Sequence, residues 1–126
     1  MEKTYLKLND IEAYKIAFKL SNYVWKIVYE DWDIIPKKTI GSQFVNAVDS
    51  ISANIAEGFG RHFKKDKVNF YRYSKGSLKE SFDCNEKAKV RKLFTEEQYN
   101  YIFTELDKLP KALNSLIKYT NEKLLI

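Results

Sequence analysis

A run of short polar side chains at helical spacing is the part of this sequence whose residue types could do chemistry. Its members are Asn46, Ser50, Asn54, Glu57 and Arg61. Residues three or four apart share one face of a helix, so these side chains form a stripe beside an apolar stripe. Short polar groups beside a core predict close packing with hydrogen bonds, either to another helix or to another subunit. Such a stripe is not typical of a catalytic site.

Glu57 is the member of the stripe that admits two different roles. As a functional residue it would be an acid in a site or a metal ligand. As a structural residue it would pair with Arg61, one turn further along, or with a cation of a neighbouring helix. A partly buried carboxylate requires such a partner. We favour the structural role.

Other candidates for catalysis or ligand binding are few. The one histidine, His62, and the one cysteine, Cys84, lie on different predicted elements, so no metal site is expected. We expect His62 to be exposed in a turn rather than to act as a general base, and Cys84 to be a packed side chain rather than a reactive thiol. The run from Gly58 to Gly60 follows a helix and lacks the pattern of a phosphate-binding loop. The sequence therefore predicts no catalytic residue, no cofactor, no metal and no enzyme.

Positive charge is concentrated in one segment. The chain has a net charge of +5, yet residues 61–92 contain eleven Lys and Arg against four Asp and Glu. Four of these cations share one side of the predicted third helix and are the candidate nucleic-acid ligands: Lys65, Arg72, Lys75 and Lys79. A localised basic surface attracts nucleic acid or an acidic protein, whereas the alternative is an ordinary solvated face.

Four helices are predicted from apolar residues that recur at spacings of three and four. The first begins with Asn9 and Glu12 as a capping box and ends before Pro36, and the second begins at Thr39. The second ends at the glycines 58 and 60, the third runs over about 64–92, and the fourth opens on a capping box of Thr95 and Gln98. Pro110 lies inside the fourth helix and predicts a kink. The expected fold class is all-α, an antiparallel up-down four-helix bundle.

Two features predict close contacts between helices or chains. The apolar face of the first helix is wider than one core requires, with Tyr23, Trp25 and Ile27 in excess, and this indicates a homo-oligomer. Gly76 lies in the middle of the third helix, where glycine costs about 1 kcal/mol relative to alanine. We expect Gly76 to face a tightly packed seam with the polar stripe of the second helix, or a neighbouring subunit.

Two motifs carry a family resemblance. Ser50-Ile51 followed by Asn54-Ile55-Ala56-Glu57-Gly58, with Arg61 after the turn, is one, and Gly76-Ser77-Leu78 followed by Glu80 is the other. Together they resemble the small four-helix bundle proteins encoded in intervening sequences of bacterial 23S ribosomal RNA genes, over about residues 11–119. The resemblance implies structural roles for the following motif residues: Ser50, Asn54, Glu57, Gly58, Arg61, Gly76, Ser77 and Glu80.

The resemblance also implies an assembly and partners. The accessory proteins of diversity-generating retroelements resemble the same family, members of the wider group form homopentamers, and the retroelement accessory proteins bind nucleic acid and a reverse transcriptase. The expected function is therefore that of a non-enzymatic, self-assembling protein associated with 23S rRNA intervening sequences, with RNA or DNA as a candidate partner. The alternative is an adaptor, for example to a reverse transcriptase or a nucleoprotein.

Length and composition set the remaining expectations. The chain of 126 residues is expected to be a single domain, with residues 1–8 as a flexible arm. Its apolar fraction of 44% and charged fraction of 31% are those of a globular protein. The first residues lack a signal-peptide pattern and no apolar run could span a bilayer, so we expect no membrane association and a cytoplasmic location.

Overall fold

Four long helices form the structure, which is a computed structural model that describes residues 6–124. They are α1 (Glu12–Asp31), α2 (Ser42–Phe59), α3 (Lys64–Val90) and α4 (Glu96–Lys123). No strand occurs within these residues. The predicted all-α helical bundle is confirmed.

The helices follow one another in an up-down order, and neighbours run antiparallel. Hydrogen bonds between α3 and α4 join Lys75 to Asn114 and Asn85 to Tyr99, so positions in α4 fall as positions in α3 rise. Each helix contacts the one before it and the one after it, and α4 closes the bundle against α1. There the rings of Tyr23 and Tyr101 lie with centroids 4.3 Å apart.

The core follows the predicted spacing of apolar residues. Several large side chains from all four helices are almost completely inaccessible to solvent, including Leu20, Val24, Phe44, Ile51, Ile55, Tyr71, Ile102, Leu106, Leu109 and Leu113. Full burial of one such side chain contributes roughly 1.5–3 kcal/mol. Ser74, Ser81 and Asn85 are also fully buried on the inner face of α3. This arrangement leaves the opposite face of α3 to solvent.

The start of the second helix differs from the prediction. A helical turn (Ile34–Pro36) and a π-helical segment (Lys37–Gly41) lead directly into α2. Thr39 does not cap a helix, because its hydroxyl donates to the carbonyl of Ile35 at 2.8 Å inside this segment. Pro36 does not prevent the helix from starting before it. Proline is tolerated in the first turn of a helix, because an N–H group there would have no helical acceptor.

The predicted caps of the other helices had opposite outcomes. Asn9 does not cap α1: it lies in a 3-10 turn (Leu8–Asp10), and Ile11 is the residue before the helix. Of the predicted arm, residues 1–5 lie outside the described residues, and Leu8 already belongs to that turn. The box of Thr95 and Gln98 is confirmed, with reciprocal bonds of 3.1 and 3.0 Å. The helix that it opens, α4, continues through Pro110.

Candidate nucleic-acid interface

Three of the four predicted nucleic-acid ligands lie together on the exposed face of α3. Lys65, Arg72 and Lys79 are each separated by seven residues, which is two helical turns or about 10.5 Å. All three are exposed, and none forms an ion pair with a carboxylate among residues 6–124. We call these three residues the basic stripe.

Lys75, the fourth predicted ligand, has a different environment. It is half-buried, and its ammonium group donates to the side-chain oxygen of Asn114 on α4. A position three residues from Arg72 is rotated away from the centre of the stripe and towards the α3/α4 seam. Lys75 therefore links two helices and is not part of the basic stripe.

Two further lysines of the basic segment donate hydrogen bonds to carbonyls at the C-terminal ends of other helices. The ammonium group of Lys64 donates to the carbonyls of Asn121 and Leu124 at 3.2 Å, and that of Lys67 donates to the carbonyl of Phe59 at 2.7 Å. These carbonyls belong to the last turns of α4 and α2, where cations are stabilising. Burial lowers the pKa of Lys67. The charge surplus seen in the sequence is thus partly structural.

A cleft of about 280 Å³ lies beside the N-terminal end of the basic stripe. It is lined by Lys64, Lys65, Val68, Asn69, Arg72 and Asn121. Five of these six residues carry an amide or a cationic group. The cleft can therefore accept an anionic group through hydrogen bonds and charge together.

Acidic residues limit the basic stripe at its C-terminal end. Glu80 is exposed next to Lys79, and Asp83 forms an ion pair of 2.6 Å with Lys87. The positive surface of α3 therefore extends from Lys65 to Lys79, with the exposed Asp66 beside its first residue. Fourteen residues of helix span about 21 Å.

The polar stripe of α2 makes no hydrogen bond to another helix among the described residues. The amide of Asn54 donates to the carbonyl of Ser50 at 2.8 Å within the same helix. In the interior of the bundle, α2 and α3 are joined by a hydrogen bond from the buried hydroxyl of Ser74 to the carbonyl of Ile51 at 2.8 Å. Sequence reasoning did not identify Ser74 as this donor.

Glu57 has the structural partner that was expected. Its carboxylate lies 3.4 Å from the Nε of Arg61, and both side chains are about half exposed. The guanidinium of Arg61 also lies 4.6 Å from the centre of the Phe70 ring on α3. The pair is solvated and not partly buried as expected, so its contribution is small, roughly 0–1 kcal/mol.

Gly58 allows the start of α3 to cross α2 closely. A Cβ atom at this position would lie 2.7 Å from Cε1 of Tyr71, 2.9 Å from the carbonyl oxygen of Lys67 and 3.0 Å from Cβ of Phe70. Real Cβ atoms essentially never approach other atoms at the shortest of these distances. The glycine of the first motif is therefore required by packing.

Replacing Gly58 by alanine is expected to destabilise the fold by roughly 1–3 kcal/mol through overpacking. The measurement is the urea midpoint of unfolding at an unchanged m-value. Gly60→Ala is the matched control, because a Cβ there would come no closer than 3.6 Å to any atom. Equal midpoints for the two variants would contradict a packing role for Gly58.

Gly76 was expected to pack against the polar stripe of α2, and it does not. Apart from its chain neighbours and the adjacent backbone of its own helix, no atom of residues 6–124 lies within 4 Å of the position that its Cβ would take, and the residue is exposed. The predicted seam with Ser50 and Asn54 is therefore wrong, because Ser74 and not Gly76 faces α2. Ser77 is half-buried and its carbonyl accepts the hydroxyl of Ser81 at 2.8 Å. Contact of Gly76 with a neighbouring subunit stays a prediction.

An exposed aromatic surface lies along α1 and the turn that follows it. Phe18, Trp25 and Tyr29 are 51–59% exposed, and the rings of Trp25 and Tyr29 stack with centroids 5.2 Å apart. Ile34 and Ile35 follow in the turn after α1 and are 60% and 73% exposed. We call these five residues the aromatic surface. Large exposed apolar patches mark interaction sites.

The residues that indicated this surface in the sequence were only partly the right ones. Trp25 is exposed, but Ile27 is buried in the core. Tyr23 is half-buried against Tyr101, because α4 covers that side of α1. The excess of apolar side chains was correctly recognised, but the side of α1 that carries it was not.

The remaining candidates for chemistry are Cys84 and His62. Cys84 is confirmed as a packed side chain, and burial together with Glu80 and Asp83 raises its pKa to about 11. His62 is exposed in the turn before α3, as expected. Within the part of the chain that the structure describes, no group of three metal-ligating side chains comes together. No helix there is long and apolar enough to cross a membrane.

Comparisons with known proteins agree with the fold. The family model described as "23S rRNA-intervening sequence protein" matches residues 9–115. The chain is also similar to a crystal structure of a protein with unknown function from the S23 ribosomal protein family of Bacteroides thetaiotaomicron. The two are 23% identical, with a TM-score of 0.72, over 84% of this chain and 98% of that one. No curated protein matches the chain significantly.

Proposed function

This chain belongs to the 23S rRNA-intervening sequence protein family, and from that premise we propose that it is a non-enzymatic, self-assembling bundle that binds the phosphate backbone of RNA or DNA. The basic stripe of α3 would make the contacts. We place the protein in the cytoplasm, in association with the intervening sequences for which its family is named.

One observation carries the proposal of nucleic-acid binding: the basic stripe is exposed and has no acidic partner among residues 6–124. Cations two turns apart on a straight helix can follow a line of phosphates, and each neutralised phosphate releases counterions. The cleft beside Lys65 and Arg72 adds the amides of Asn69 and Asn121 as donors at one end of the stripe.

The expected binding mode is independent of base sequence. Two aromatic residues close to Arg72 in the sequence, Phe70 and Tyr73, have rings at 85° to each other with centroids 5.3 Å apart. Phe70 is further covered by the guanidinium of Arg61. Two rings in this edge-to-face arrangement offer no flat platform on which successive bases could stack. Contacts to phosphates position a nucleic acid but do not read its sequence.

Self-assembly is the second part of the proposal, and the aromatic surface supports it. A surface of five large apolar side chains costs free energy in water, and burial against a second copy would remove that cost. We propose a homo-oligomer, specifically a pentamer. An assembly would also present several basic stripes at once, so that weak binding by each would combine into stronger binding by the whole.

An adaptor role is the second candidate function, and the same aromatic surface favours it. Trp25 and Tyr29 could contact a different protein, for example a reverse transcriptase or a nucleoprotein. The bundle would then bridge that protein and the nucleic acid bound by the basic stripe. The two candidates differ in whether the chain assembles alone.

The test of the proposed function is binding of the wild-type protein to two labelled RNA oligonucleotides of unrelated sequence, followed by fluorescence anisotropy at low salt. We expect binding with dissociation constants that agree within a factor of about three. Failure to bind either RNA or an equivalent DNA duplex at low salt would refute it, and a large preference for one sequence would refute the backbone mode.

A further inference from the structure

Gly76 is the one glycine in the interior of a long helix that nothing in the described chain explains. Gly58 and Gly41 each lie against atoms that would collide with a Cβ, whereas the space outside Gly76 is open. Glycine in a helix interior is less favourable than alanine. Gly76 therefore makes α3 less stable than alanine would, and the packing of the bundle gains nothing from it.

The position of Gly76 relates it to the basic stripe. It follows Arg72 by four residues and precedes Lys79 by three, so it shares their side of α3. A cation thus lies one turn away in each direction, and between them the helix presents bare backbone. A side chain at this position would project into the space in which both cations could meet one ligand.

We propose that Gly76 lets the sugar–phosphate backbone of a nucleic acid approach the axis of α3 closely, between Arg72 and Lys79. Glycine commonly serves where a backbone must come near a ligand. Because Gly76 has no Cβ, adjacent phosphates of one strand can lie over it. Arg72 and Lys79 then contact these phosphates from either side. This inference rests on the proposed function and adds a residue to that site.

The charges around Gly76 favour a polyanion over the same face of a second copy of the chain. Both cations that flank it are exposed and without an acidic partner in the described structure. If the same face of another copy were packed against it, like charges would meet, which is destabilising. The nearest acids of the helix, Glu80 and Asp83, lie past Lys79, and Asp83 is already paired with Lys87.

The experiment compares Gly76→Ala, Gly76→Gln and the wild type for RNA binding, oligomer mass and thermal unfolding. Because both replacements favour the helix and meet open space, we expect Tm to rise by roughly 3–6 °C. We expect RNA binding to weaken about threefold with alanine and tenfold or more with glutamine, at an unchanged oligomer mass. Val90→Gln is the matched control: Val90 is 79% exposed on the same side of α3 but beyond the acids, and its replacement should leave binding unchanged.

Each other outcome overturns a distinct statement. RNA binding by Gly76→Gln that equals wild-type binding would refute the role of Gly76 and leave the proposed function standing. A changed oligomer mass would assign Gly76 to a contact between subunits instead. A wild-type protein that binds no nucleic acid would refute the proposed function itself, and this inference with it.

Discussion

Replacing Lys65, Arg72 and Lys79 together by glutamate is expected to abolish binding to RNA and DNA. Each reversal removes a phosphate contact and adds a repulsive charge on an exposed face of α3. None of the three side chains makes an ion pair or hydrogen bond within residues 6–124 that the fold would lose. We expect the dissociation constant to rise by at least a hundredfold, measured by fluorescence anisotropy, with an unchanged Tm.

The matched control reverses three lysines of another helix. Lys15, Lys19 and Lys26 lie exposed at helical spacing on α1, and their replacement by glutamate changes the net charge by the same amount. We expect this variant to lose much less affinity than the variant of the basic stripe. Equal losses would mean that overall charge, and not the surface of α3, attracts the nucleic acid.

Replacing Trp25 and Tyr29 together by aspartate is expected to convert the proposed oligomer into a monomer. Light scattering of the wild type at micromolar concentration should give several times the chain mass of 14.9 kDa, near five times for a pentamer, and the variant should give one chain mass. Buried unpaired carboxylates oppose association strongly. Because the two rings are 51% and 59% exposed, the monomer should stay folded.

Two exposed tyrosines outside the aromatic surface provide the control for assembly. Tyr73 on α3 and Tyr119 on α4 are 58% and 44% exposed, and Tyr73→Asp with Tyr119→Asp should retain the oligomer mass. A wild-type protein that is monomeric at every concentration would contradict self-assembly and favour the adaptor role. An oligomer that survives the loss of Trp25 and Tyr29 would place the contact elsewhere.

The fold could be predicted from the sequence because the apolar residues of its core recur at regular helical spacing. Apolar residues at spacings of three and four mark the inner faces of α1, α2 and α4, and local chemistry marks the start of α4 at Thr95. The same reasoning failed at Thr39, where a π-helical segment keeps the chain helical from Ile34 onward. A proline that is harmless in the first turn gave no reliable boundary.

The candidate site was predicted in outline but not in detail, and helix α3 shows why. Its lysines occur on every side, so their positions in the sequence do not reveal which ones meet carbonyls of other helices. Lys64, Lys67 and Lys75 turned out to hold the bundle together. The rotation of α3 is fixed by small buried residues such as Ser74 and Ser81, and these give a weaker signal than leucines.

Gly76 illustrates a limit of the same kind. A glycine inside a helix indicates a close approach, but the sequence alone does not say from which side the neighbour comes. At Gly58 the neighbour is α3 of the same chain, with Tyr71 at 2.7 Å from the position of a Cβ. At Gly76 the open space leaves only a neighbour from outside the described chain. The same residue type thus has opposite expected effects on stability when it is replaced by alanine.

The salt dependence of RNA and DNA binding tests the central claim, that the basic stripe binds phosphates, most directly. The logarithm of the binding constant should fall linearly with the logarithm of the salt concentration, with a slope of about −0.9 for each phosphate neutralised on duplex DNA. Three contacts predict a slope of about −2.7 for one chain, and a steeper slope if several chains of an oligomer bind together. Reversal of Lys65, Arg72 and Lys79 should abolish binding and, with it, the dependence on salt concentration. A wild-type slope near zero, or the same slope in the variant, would contradict the claim.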